Sequence, residues 1–275
     1  MTVLAHVRAP ATTANLGPAF DCAAVALDLW NELEVSEGEG ESGPDVDHLG
    51  VRAFARLAPV EGKRFSFTDR IPRERGLGSS AAVIALGLLA AAVVEGRPAN
   101  PEELLAEGVG LEGHADNLAA ALAGGVCLTW ETRIVRLADS TPAVPIALVP
   151  DSTVSTAAAR AALPADIPHA DAAFTAARAA LLGAALTSGS AELFADALDD
   201  RLHEPYRTAS APLLEAVRER PPPGALGATL SGSGPTVIVW ARPEAVADCA
   251  DELSRRHPDV SVLTLAVSPR GAHAL

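Results

Sequence analysis

The chain has 275 residues, enough for one large domain or two ordinary ones, and 49% of them are hydrophobic, which is ample for a core. A net charge of −14 and an aromatic content of 4% argue against a nucleic-acid partner, which needs cations for phosphates and rings for base stacking. Arginine supplies nearly all the positive charge, Lys63 being the only lysine, so an anionic ligand will be met by planar guanidinium forks.

In chain order, Thr2–Pro10 alternates like a strand, and Ala11–Asp21 reads as a polar, turn-rich loop carrying Asn15 and Asp21. Ala23–Val35 reads as a second strand, Glu37–Asp47 as an exposed acidic loop, Leu49–Ala58 as a helix and Phe65–Thr68 as a short strand. Gly76–Val94 is uncharged for about a transmembrane length. Its Gly-Leu-Gly-Ser-Ser opening and alanine content make a buried helix the expectation instead. Asn100-Pro101-Glu102-Glu103 is a helix start with cap, first-turn proline and glutamate in place. Asp116 or Asn117 can cap the next helix, Leu118–Ala123, which Gly124-Gly125 stops. Strands follow at Val126–Trp130, Ile134–Leu137 and Ile146–Val149. After Pro150-Asp151 the pattern turns helical, at Thr153–Ala162, Ala170–Thr187, Ala191–His203 and Ala211–Arg220. Strands at Ala225–Leu230 and Thr236–Ala241, a helix at Pro243–Arg256 and a strand at Val260–Ala266 complete a mixed helix–strand chain that breaks near residue 150.

Three widely spaced cysteines, Cys22, Cys127 and Cys249, form neither a metal pattern nor a disulfide framework and are expected to be reduced. With an N-terminus that lacks a signal-peptide pattern, this predicts a cytoplasmic protein without a membrane partner.

The stretch with the most chemistry is Pro72-Arg73-Glu74-Arg75-Gly76-Leu77-Gly78-Ser79-Ser80-Ala81-Ala82. Its two glycines allow a sharp turn, and the serines then open a helix whose first amides are unpaired and electropositive. Such a turn cradles an anion, and phosphate is the usual one. A Gly-Lys-Ser/Thr phosphate loop, a protein-kinase lysine and a third dinucleotide-fingerprint glycine are all missing here. The expectation is therefore a nucleoside triphosphate held mostly by main chain.

Three glycine-containing stretches stand in order, Pro10–Asp21, Pro72–Ala82 and Leu230–Pro235. Together they resemble the three motifs of the GHMP small-molecule kinases, the superfamily named for galactokinase, homoserine kinase, mevalonate kinase and phosphomevalonate kinase. Within it the first loop lacks the lysine of mevalonate-type relatives. That loop, with Glu112-Gly-His114-Ala-Asp116-Asn117, Ser155–Pro164 and Asp200–Arg207, resembles the homoserine kinase family. Two departures are Ala19, where that family often has glycine, and His48, where it often has an asparagine near the nucleotide base.

The resemblance implies an α+β fold in two domains, 1–150 and 151–275. The first would be an ATP-binding domain similar to ribosomal protein S5 domain 2, the second a ferredoxin-like α/β domain. It implies phosphoryl transfer from ATP, with Mg²⁺, to the side-chain hydroxyl of L-homoserine in threonine biosynthesis, and a possible homodimer. Pro72–Ala82 would hold the nucleotide, and Glu112 with Ser79 or Ser80 the metal, Glu107 being an alternative glutamate. Asn15, Asp21, His114, Asn117, Thr156, Arg160, Arg207 and Gly232 would form the homoserine site. Asn117 and His114 would orient the hydroxyl, and Asp116 would serve as a helix cap rather than a base. A related kinase for another small hydroxy acid, or a non-catalytic ligand-binding member of the fold, are the alternatives.

Overall fold

The computed structural model describes residues 2–38 and 45–275. Strand β1 (Val3–Asn15) and strand β2 (Ala19–Glu37) form a long antiparallel hairpin. The expected loop over Ala11–Asp21 is mostly strand: β1 runs on to Asn15, and only Leu16–Pro18 turn. Ala11, Thr12, Thr13 and Ala14 are all buried, and their small side chains let helices pack closely on this end of the strand. Part of the expected acidic loop, Glu37–Asp47, lies outside the described residues.

Helix α1 (Leu49–Phe54) and strand β3 (Lys63–Thr68) lead to helix α2 (Ser79–Val94). Twelve residues of α2, from Ala81 through Ala92, are buried, so this apolar stretch is the central post of the domain. Among the described residues no helix is long and apolar enough to cross a membrane. Helix α3 (Pro101–Glu112) starts as expected, with Asn100 Oδ1 accepting from the amides of Glu102 at 2.9 Å and Glu103 at 3.3 Å. Helix α4 (Asp116–Ala123) is two residues longer than expected, and Asp116 sits inside its first turn while Ala115 occupies the cap.

Strands β4 (Val126–Trp130) and β5 (Arg133–Ala138) complete one side of the first sheet. Strand β6 (Val144–Val149), which precedes the expected break at residue 150, belongs to the second sheet. Helices α5 (Thr156–Ala161), α6 (His169–Ser188) and α7 (Ala191–Ala197) follow. The helix expected to run to His203 stops six residues early. The Asp200 carboxylate takes the amides of Leu202, His203 and Glu204, which a continuing helix would pair with carbonyls, and Pro205, with no amide to give, keeps the segment from running on into α8. The chain restarts as α8 (Glu204–Arg207), with Asp200 Oδ2 accepting from the amides of His203 at 2.8 Å and Glu204 at 2.9 Å.

Helix α9 (Pro212–Glu219), strands β7 (Ala225–Leu230) and β8 (Val237–Ala241), helix α10 (Val246–Arg256) and strand β9 (Ser261–Thr264) follow as a β-β-α-β run. With β6 they make a four-stranded antiparallel sheet in the order β7-β8-β6-β9, a ferredoxin-like arrangement. The chain then returns: strand β10 (His273–Ala274) pairs with β1 at the edge of the first sheet. Two residues carry no readable periodicity, so this strand is invisible in sequence. The first sheet thus draws on residues 3–138 and 273–274, the second on 144–264.

Candidate active site

The turn expected to cradle phosphate is a main-chain construction. Gly78 caps α2 in the left-handed region, at φ 64°, and no side chain caps the first turn. The leading amides of a buried sixteen-residue helix therefore face a cavity of about 230 Å³. Gly76, Gly78, Ser79, Ser80 and Glu112 line this cavity from one side, and Thr156, Gly232 and Ser233 from the other. Neither glycine can be replaced in place. A Cβ on Gly76, at φ 81°, would lie 2.2 Å from the Ser231 carbonyl, and one on Gly78 would lie 1.9 Å from Thr12 Oγ1.

Those close approaches arise because the β7–β8 turn folds onto the cradle from the second sheet. Ser231 Oγ donates to the Gly76 carbonyl at 2.6 Å, and the Gly232 amide donates to Ala14 at 3.2 Å. Glu74 lines the cavity, whereas the two arginines of the loop make their bonds away from it. Arg73 pairs with Asp69, while Arg75 donates to the carbonyls of Pro150 and Asp151 at 2.7 Å each. Leu77, Ala81 and Ala82 are fully buried. Of the eleven residues expected at the nucleotide, then, Arg75 anchors the loop and these three build core, while Glu74, Gly76, Gly78, Ser79 and Ser80 line the cavity. A second cavity of about 270 Å³, lined by Asn31, His48, Leu49, Arg73 and Val83, shares Glu74, Ser79 and Ser80 with the first. His48 Nδ1 accepts from the Gly50 amide at 3.2 Å and caps α1.

Ser80 Oγ donates to Glu112 Oε2 at 2.6 Å, bringing two hard oxygen donors to the cavity rim. Burial pushes the Glu112 carboxyl up, and the Ser80 hydrogen bond offsets this only in part. Glu107 is not at this site: it pairs with Arg56 at 3.5 Å and lines a different cavity with Leu57 and Arg97. The two glutamates are five residues apart in α3, about 1.4 turns, so they point to different sides of the helix and only the later one faces α2's N-terminus.

Beside the cradle, residues from five segments converge. Asn15 and Asp21, both at positive φ (75° and 59°), flank the β1–β2 turn. Asn15 Oδ1 accepts from the Asp21 amide at 3.0 Å, and its Nδ2 donates to the Gly232 carbonyl at 3.0 Å. Turn bonding and site placement thus coexist in one side chain, and the positive φ values store strain at the turn. Arg160 Nη2 pairs with Asp21 Oδ1 at 2.6 Å. Arg207, only 3% exposed, donates from Nη1 to the Gly232 carbonyl at 3.0 Å. Both guanidiniums lie over Phe20, their carbons 5.5 Å (Arg160) and 5.2 Å (Arg207) from its ring centroid. The Nε atoms of both arginines are buried without a hydrogen-bond partner. Thr156 Oγ1 lies 3.4 Å from Ser233 Oγ across the cavity mouth.

Asn117 Oδ1 accepts from Thr12 Oγ1 at 2.7 Å, fixing the amide behind Gly78. Asp116 Oδ1 accepts from the Asn117 amide at 2.6 Å and from its Nδ2 at 3.3 Å. Burial raises the Asp116 carboxyl to about 6, against those hydrogen bonds. His114 is pushed down, first by burial and then by Arg160, with Arg207 adding to the effect. Four residues of this region were not singled out from sequence: Thr12, Phe20, Ser231 and His203. Each was printed inside a motif already quoted, but nothing in its type or spacing marks it.

Comparison with known proteins places this geometry. Residues 48–125 match the family description "GHMP kinases N terminal domain", and residues 177–259 match "GHMP kinases C terminal". A homoserine kinase of Gloeobacter violaceus is 38% identical over 96% of this chain and 97% of its own length. One from Streptomyces coelicolor is 41% identical over 90% of this chain and 86% of its own. The chain belongs to the homoserine kinase family. Among solved structures, a putative homoserine kinase from Listeria monocytogenes superposes with a TM-score of 0.82 at 28% identity, covering 98% of both chains. A mevalonate kinase structure, at 15% identity and a TM-score of 0.74 over 96% of this chain and 99% of that one, shares the fold. The two-domain GHMP kinase fold and kinase activity follow from this membership, with ATP as the phosphoryl donor of the family.

Proposed function

We propose that the chain transfers the γ-phosphoryl group of ATP to the side-chain hydroxyl of L-homoserine, giving O-phospho-L-homoserine and ADP, with Mg²⁺ as the metal. The observation that carries the choice of acceptor is the pair Arg160 and Arg207, buried at Nε and unpartnered there, set around Phe20 beside the phosphate cavity. Buried donors without partners are costly, and a carboxylate that takes two of them side-on removes the penalty.

An α-amino acid carries a carboxylate and an ammonium on one carbon, and this pocket carries the complementary pair. Arg207 and Arg160 would take the carboxylate, while Asp21, already 2.6 Å from Arg160, would take the ammonium. Asn15, Gly232 and Thr156 complete the wall. Asn117, held by Thr12, and His114 would orient the hydroxyl toward the cradle. Asn117 cannot accept a proton, and Asp116 Oδ1 is occupied by Asn117's N–H groups. A loose phosphoryl-transfer transition state asks for positioning and charge neutralisation more than for a base.

The main-chain amides at Gly76–Ser80 would hold the phosphates, and the adjoining cavity at His48 would take the base. The donor set suits magnesium: Glu112 and Ser80, with Ser79 beside them, offer hard oxygens. Among the described residues no three His, Cys, Asp or Glu side chains converge, so phosphate and water would complete the coordination. When bound, the ion supplies charge neutralisation across the phosphates.

ADP release measured over a panel of L-homoserine, L-serine, L-threonine, mevalonate and galactose tests the proposal. L-Homoserine is expected to give the highest kcat/KM. Faster turnover of another acceptor would move the chain to a different substrate. ADP release at background for all of them would make it a binding protein.

A further inference from the structure

Arg207 depends on a neighbour that carries no charge and touches no cavity. His203 is fully buried, on the short turn that precedes α8. Its Nε2 lies 2.8 Å from the Gly17 carbonyl, and its Nδ1 lies 3.2 Å from Arg207 Nη1. The imidazole face stacks on Phe20, with ring centroids 4.8 Å apart and planes at 24°. These partners leave one protonation state. A carbonyl oxygen can only accept, so Nε2 carries the proton; a guanidinium can only donate, so Nδ1 presents its lone pair. The nearest acid, Asp200, has its Oδ2 3.6 Å from Nε2 and spends its oxygens on the amides of Leu202, His203 and Glu204 and on Thr175 Oγ1. Burial, reinforced by Arg207, brings the His203 pKa down to about 4, against the pull of Asp200, in keeping with a neutral ring.

The consequence concerns which edge of Arg207 is free. Nη1 is engaged twice, by His203 Nδ1 and by the Gly232 carbonyl, while Nε has no partner. The guanidinium is thereby locked at one corner, and the donors left uncommitted are on its side-on edge, where Nε is buried without a partner. We infer that His203 is a positioning residue for the acceptor substrate: its Nδ1 lone pair and its stack on Phe20 set the rotation of Arg207, and its Nε2–H ties that setting to the β1–β2 turn that bears Asp21. One ring therefore couples the carboxylate-binding arm to the ammonium-binding arm. The inference rests on the proposed L-homoserine site.

Two isosteric substitutions separate the ring's two nitrogens. His203→Asn keeps an acceptor where Nδ1 stands and loses the link to Gly17. His203→Gln keeps a donor where Nε2 stands and loses the acceptor toward Arg207. At saturating ATP, His203→Gln is expected to raise the homoserine KM about tenfold or more while the KM for ATP changes by less than about twofold. His203→Asn is expected to recover most of that loss. Equal homoserine KM values in both variants and the wild type, or a parallel rise of both KM values tracking a lower unfolding temperature, would overturn the inference.

A measurement on the unsubstituted protein does not depend on the variants folding or on the substrate's identity. With ¹⁵N-histidine labelling, NMR should show His203 as the Nε2–H tautomer throughout pH 6–8. L-Homoserine should shift its Nδ1 signal, and inorganic triphosphate should not. An Nδ1–H tautomer would overturn the inference whatever the substrate. An Nε2–H tautomer together with no ADP release from homoserine would instead remove the assigned function and leave the tie between His203 and Arg207 standing.

Discussion

The two halves of the cleft are built on opposite plans. The proposed phosphate half is contiguous: Gly76, Gly78 and the first turn of α2 would supply main-chain amides within five residues, and no side chain is asked to reach. The proposed acceptor half is assembled from Asn15–Asp21, His114–Asn117, Arg160, His203–Arg207 and Gly232, and it would work through side chains whose orientation is set by other side chains. A main-chain site tolerates many side-chain changes but almost no change in backbone conformation. A side-chain site has the reverse sensitivity: its backbone is forgiving, and each polar atom counts.

Substitutions can break that contrast or sharpen it. The largest effect is expected at Gly78→Ala. Left-handed strain costs about 1–3 kcal/mol and forced overpacking a similar amount, and here the new methyl would meet Thr12 Oγ1. Thermal unfolding and ATP KM should both worsen. A variant that binds ATP normally would refute the main-chain cradle. Next comes Arg207→Ala, which should weaken homoserine by about 2–5 kcal/mol, the usual loss for one arm of a desolvated charge pair, with the ATP KM unchanged. Arg160→Ala should cost less, because that side chain is about a third exposed (34%) and screened by water. A collapse of ATP affinity in either arginine variant would erase the distinction between the halves.

Glu112→Gln keeps the shape of the rim and removes one charge. The magnesium concentration for half-maximal rate should rise about tenfold, about 1.4 kcal/mol, and Glu107→Gln should leave it unchanged. The smallest catalytic effect belongs to Asp116→Asn, with kcat expected to fall by less than about threefold, against the roughly 10²–10⁴-fold loss that removal of a general base brings. Stability should respond more than rate. Because the folded-state carboxyl is raised to about 6, the native protein binds more protons than the unfolded chain between about pH 4 and 6. Wild-type stability therefore falls as pH rises through that window, by up to roughly 3 kcal/mol, and chemical denaturation at pH 4 and pH 8 should show Asp116→Asn lacking that share of the fall.

The same contrast explains what could be read before the structure. Gly-x-Gly-Ser-Ser ahead of an alanine-rich run states its own geometry, because glycine freedom and helix N-terminal polarity are local properties. The core of α2 was equally plain. Asn15 and Asp21 stand out as polar residues of a turn-rich stretch, but Arg160 and Arg207 come only through resemblance, since a lone arginine on a helix looks the same whether it faces water or a ligand. His203 and Phe20 carry no sequence signal because their roles exist only once Phe20 meets His203, Arg207 and Arg160, contacts that span about 140 to about 190 residues of chain. Glu107 was a fair rival to Glu112 on spacing, and only the rotation of α3 against α2 decides between them. Pro205 marks how far the helix could run, but its earlier stop at Ala197 goes with Asp200 taking the amides that follow, a contact that no periodicity announces.

The account turns on main-chain capture of phosphate beside side-chain capture of an amino acid. A crystal structure with a non-hydrolysable ATP analogue and L-homoserine tests it most directly. The phosphates should accept from the amides at Gly76–Ser80, and the homoserine carboxylate should lie on the Nε–Nη2 edge of Arg207 with its ammonium at Asp21. Phosphates bound to the arginines, with homoserine at the α2 N-terminus or away from the cleft, would contradict it.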